Sequence, residues 1–118
     1  MNGSLGPAPK RAESLALPAN LGTAQLFDCA TSSIATFAKT SSSWPNVTRR
    51  DVDAGILESG DFSDESKTGF RVHIERTSPT EATIQMKGAG AYFTDLGVDQ
   101  ALSDFKRSLS SCIAGATH

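Results

Sequence analysis

MNGSLGPAPKRAESLALPAN (residues 1–20) sets where the folded domain begins. It carries three of the five prolines and two glycines, and its apolar content is the short patch Leu15-Ala16-Leu17. Proline removes a backbone donor and glycine raises the entropy lost on ordering, so such a stretch favours an open chain. We read residues 1–20 as a flexible tail or tether and residues 21–118 as a single domain.

Immediately downstream, Leu26, Ala30, Ile34 and Phe37 recur at steps of four, four and three, the stripe of an α-helix from Thr23 to about Lys39 with Asn20 or Thr23 as N-cap. Proline ends it at Ser43-Trp44-Pro45. Three period-two runs come next: Val52, Ala54 and Ile56; Phe70, Val72 and Ile74; Ala82, Ile84 and Met86. Each alternates with polar or glycine positions, the pattern of a strand with one buried and one wet face. Residues 77–80 (TSPT) make a compact hairpin loop, and residues 59–69 make a longer one. Val98, Leu102, Phe105, Leu109 and Ile113 then mark a second helix, with Gly115 as its stop. The expectation is an α+β two-layer sandwich of order α-β-β-β-α, a three-stranded antiparallel sheet with both helices on one face.

Composition narrows the function classes. A chain of 118 residues with 38% hydrophobic and 20% charged residues has the balance of one globular domain. Net charge is −2 and aromatics are 7%, which leaves neither the basic footprint nor the stacking platforms of a nucleic-acid partner. No run approaches the roughly 18 apolar residues of a membrane span.

The two cysteines each flank an apolar helical stripe, Cys29 on the first helix and Cys112 on the last. Helices side by side on one sheet face bring the thiols to a common seam, where they either form a disulfide or stay reduced as small buried hydrophobes. A bridge places the protein in an oxidising compartment. A Gly/Pro/Ala-rich lead segment (NGSLGPAPKRAES) followed by a compact α+β domain with one cysteine in each of two helices resembles small uncharacterised bacterial lipoprotein and periplasmic domains of unknown function. The resemblance implies an envelope location: periplasmic, anchored at the outer membrane through a lipidated precursor, or secreted.

Gly88 and Gly90 lack the third glycine of a dinucleotide loop, since Phe93 stands in its place, so they read as a strand bend. Asp51 and Asp53 begin like a calcium loop, but Gly55, Ile56 and Phe62 occupy positions that need a ligand, a glycine and a glutamate. Asp61, Asp64 and Glu65 read as a solvated acidic loop, and no metal or cofactor is expected. The sequons at Asn2 and Asn46 matter only in a eukaryotic secretory pathway. Alternation places Arg71, His73, Glu75, Thr83, Gln85 and Lys87 on the wet sheet face, a candidate interaction face. Trp44 is a core lid or a binding hot spot.

The expected function is therefore a non-enzymatic extracytoplasmic domain, monomeric, that binds an unidentified protein or envelope component. The alternatives are a small hydrolase using His73 with a carboxylate, or a cytoplasmic adaptor or dimer module pairing through an edge strand.

Overall fold

A computed structural model describes residues 10–39, 44, 47–60, 69–89 and 95–116. Seven elements follow one another: β1 (Lys10–Ala16), α1 (Thr23–Ala38), β2 (Val47–Asp51), β3 (Ile56–Ser59), β4 (Gly69–Ser78), β5 (Glu81–Ala89) and α2 (Asp95–Ala116). The strands form one antiparallel sheet in the order β1-β5-β4-β3-β2. The expected three-stranded sheet and α-β-β-β-α order are thus corrected to five strands, with a strand leading the chain.

Both extra strands have a physical origin. β1 comes from the stretch read as a tether and pairs with β5 from Lys10↔Lys87 to Ala16↔Glu81. Leu15, Leu17 and Leu21 are all buried there. The side of β1 facing α2 otherwise carries charges: Arg11 Nε sits 2.8 Å from Asp99 Oδ1, and Glu13 Oε1 sits 3.7 Å from Lys106 Nζ. An edge strand whose inward positions are Arg, Glu and Leu shows no apolar alternation. Residues 52–55 of the run expected as a strand form a turn, and only Ile56 belongs to a strand, because Asp51 Oδ1 accepts from the Ala54 amide at 3.0 Å and Gly55 takes φ 72°. An aspartate folding back on the chain, followed by a left-handed glycine, makes a hairpin that splits this region into β2 and β3. Val52, expected inside, is exposed.

The remaining elements follow their patterns closely. α1 is capped by Gly22, not by Asn20 or Thr23, and Gln25 Oε1 accepts from the Gly22 amide at 2.8 Å. α2 buries Val98, Leu102, Phe105, Leu109 and Ile113 and runs through Gly115. In the centre of the sheet, Ile74 lies opposite Ile84 and Val72 opposite Met86. These four side chains, with Leu57 and Ala82, meet the helical stripes in a single core. The β4–β5 connection is the short hairpin at Pro79-Thr80, as expected.

The helices are joined by the Cys29–Cys112 disulfide, with Cα atoms 5.6 Å apart and 83 residues of separation. In the chain-entropy account a loop of that length is worth about 4.5 kcal/mol through restriction of the unfolded chain. A Ser33–Ser108 hydroxyl contact of 2.8 Å lies on the same seam.

Candidate functional site

Two regions carry the features on which function can be argued. The first is the sheet face turned away from the helices. Register sets its rows: Arg71 is opposite Lys87, His73 opposite Gln85 and Glu75 opposite Thr83. The fold therefore brings together all six residues expected on this face. It does not leave them equally wet. Arg71 and Lys87 are only 3% and 9% exposed, whereas the Glu75 side chain is 52% exposed. The expectation of a uniformly solvated plane is corrected at its Arg71–Lys87 end, because alternation fixes the side a residue takes but not the depth of cover above it.

His73 sits in the middle of this face, 17% exposed. Its Nδ1 lies 2.5 Å from Glu58 Oε2, and its Nε2 lies 3.8 Å from Glu75 Oε1. Glu58 is the cross-strand neighbour of His73 on β3. The sequence pattern does not point to Glu58, because β3 is a four-residue strand set off from β2 only by the Asp51–Gly55 turn. The Glu58 contact makes the imidazole a bridge between β3 and β4, while Glu75 flanks it from β4 itself.

The second region surrounds Trp44, which is 7% exposed and so has the burial of a core lid. Its ring stacks on Phe37 at 4.8 Å and on Phe105 at 6.0 Å, and tilts against Phe70 at 5.3 Å. Beside it opens a pocket of about 270 Å³ lined by Phe37, Trp44, Phe70, Gln100, Ala101 and Asp104. At its polar side Gln100 Nε2 donates to Asp104 Oδ1 at 3.0 Å. Sequence reasoning missed this pocket because its aromatic walls come from the end of α1, the following connection and the start of β4. A larger pocket of about 360 Å³, at the start of α1, is bordered by Arg76 and the 52–55 turn. The Arg76 guanidinium is already engaged there, by Thr23 Oγ1 at 3.2 Å and by the Pro79 carbonyl at 2.7 Å. His73 borders neither of these two pockets.

Other candidates settle into structural roles. Gly88 is buried within β5 opposite Phe70, a ladder position and not a phosphate loop. Asp51 holds its own turn. Among the described residues no three His, Cys, Asp or Glu side chains gather where they could hold a metal ion. Gly90, Asn2, Asn46 and the acidic residues Asp61, Asp64 and Glu65 lie outside the described residues. Among the described residues no helix is long and apolar enough to cross a membrane.

No protein-family model, curated protein or solved structure matches the chain.

Proposed function

We propose that the chain is a non-enzymatic domain of an oxidising, extracytoplasmic compartment, envelope-bound or secreted, that works by binding a protein or envelope component. The observation that carries this reading is the Cys29–Cys112 bridge across the helix seam, since such bonds persist where thiols are not kept reduced. The environment of His73 supports binding over catalysis: each ring nitrogen faces a carboxylate, and the ring ties two strands together. The half-exposed end of the sheet face at Glu75, Thr83 and Gln85 is the surface proposed to meet the partner.

The test is acid-quenched thiol trapping in cells that produce the protein, read as intact mass with and without reduction. Uptake of two blocking groups only after reduction is the expected outcome. Uptake of both without reduction removes the compartment assignment. For the face, the pair Glu75→Arg and Gln85→Arg is expected to abolish co-isolation of a crosslinked envelope partner while leaving the circular dichroism unchanged. Undiminished crosslinking excludes that face.

The hydrolase reading keeps one observation in its favour, the 2.5 Å contact between Glu58 and His73, which resembles a carboxylate orienting a general base. Turnover of simple esters that disappears in His73→Ala would establish it; no turnover above the variant's is expected.

A further inference from the structure

The pocket beside Trp44 combines two chemistries that together select a ligand. Its walls are the rings of Phe37, Trp44 and Phe70 with the methyl of Ala101, surfaces that favour an apolar stem. Its polar edge is a carboxylate beside an amide. Asp104 brings a carboxylate whose side chain is 38% exposed, and the Gln100 amide donates one of its two N–H groups to it, which turns the amide towards that carboxylate and keeps its oxygen available as a further acceptor. The cation paired with Asp104 is Arg107 at 3.6 Å, whose own side chain is 75% exposed. An exposed pair of that kind contributes little and yields readily to a better-placed cation. At about 270 Å³ the space lies just below the range of roughly 300–1,000 Å³ usual for whole small-molecule ligands. It is suited to one side chain.

We propose that this pocket receives a lysine or arginine side chain from a basic segment of the partner protein, its aliphatic stem against the aromatic rings and its ammonium or guanidinium at Asp104 and Gln100. Charge complementarity decides the occupant: a purely apolar residue leaves the carboxylate unused, and an acidic one meets it with like charge. This deepens the binding reading above by naming a second contact site and its chemistry, and the two can fail separately, because the pocket is tested with small probes on purified protein whatever compartment it came from.

Trp44 is the only tryptophan in the chain, so its fluorescence reports the site without a label. The oxidised protein is titrated with n-butylammonium, n-butylguanidinium and 1-butanol at low and high salt. A fragment of this size is expected to bind on the order of millimolar. The expected result is a saturable change in Trp44 emission for both cations, with 1-butanol at least about 10-fold weaker and the difference shrinking at high salt. Asp104→Asn should bring the cations down to the level of the alcohol. Gln100→Lys, which sets an ammonium beside the mouth, should weaken them as well; both positions are at the surface, and circular dichroism checks that the fold is retained. Equal binding of alcohol and cations, a preference that survives Asp104→Asn, or the absence of saturation with any probe overturns the proposal.

Discussion

The centre of the sheet and its two edges are fastened to the helices by different physics. In the centre, Leu57, Val72, Ile74, Ala82, Ile84 and Met86 are almost wholly removed from water against α1 and α2. At the edges the fasteners are partly exposed ion pairs. β1 reaches α2 through Arg11–Asp99 and Glu13–Lys106, and β2 reaches α1 through Arg50, which sits 2.9 Å from Asp28 Oδ1 and donates to the Ala24 carbonyl at 3.2 Å. Burial is cooperative and hardly sensitive to salt, while half-exposed pairs are worth about 0–1 kcal/mol each and are screened. The edges therefore depend on their backbone ladders and on Leu15, and the centre depends on packing.

The largest test of that contrast is Phe105→Ala. It empties a fully buried ring site beside Trp44 and is expected to cost about 3–5 kcal/mol in urea unfolding, enough to remove much of a typical domain's stability. An effect below about 1 kcal/mol would mean that the core is not the principal fastener. Next comes the staple: Cys29→Ser with Cys112→Ser should lower stability by about 2–4 kcal/mol while leaving the sheet ladders in place by circular dichroism. Leu15→Ala probes the apolar hold on β1 and should cost about 2 kcal/mol or more, accompanied by faster amide exchange in β1 than in β4. Uniform exchange across both strands would erase the distinction between edge and centre. Gly55→Ala should cost about 1–2 kcal/mol, because a side chain at φ 72° is strained and its Cβ would sit 3.4 Å from the Arg76 carbonyl oxygen. The smallest effect belongs to Arg11→Ala, expected at about 1 kcal/mol or less and vanishing in 1 M salt. A larger loss, insensitive to salt, would show that the edge is held as the centre is.

The same division explains what could be read in advance. Helical stripes are periodic because one side of a helix must be dry, so Leu26, Ala30 and Ile34 on α1 and the five marked positions on α2 all prove buried. β4 and β5 declare themselves for the same reason. β1 does not, since a strand whose inward positions are Arg11, Glu13 and Leu15 leaves no apolar alternation to detect. Residues 51–55 mislead in the opposite direction: Val52 and Ala54 alternate with aspartates by coincidence, and the Asp51 side chain and Gly55 turn the chain. For the candidate sites, period two puts six residues on one side of the sheet, as the β4–β5 register does, but it does not give the burial of Arg71 and Lys87, and the approach of Glu58 to His73 and the aromatic pocket bring together separate segments of the chain.

By itself the sequence determined the α+β class, both helices and their buried stripes, the central β4–β5 hairpin, and the possibility that Cys29 meets Cys112, because these depend on periodicity within single segments. Tertiary structure alone decided that Lys10–Ala16 joins the sheet, that β2 and β3 part at Gly55, that the two thiols come within bonding reach, and that Trp44 lines a pocket with Asp104 at its edge. These depend on which surfaces meet in space, and contact between distant segments leaves no periodic trace in either one.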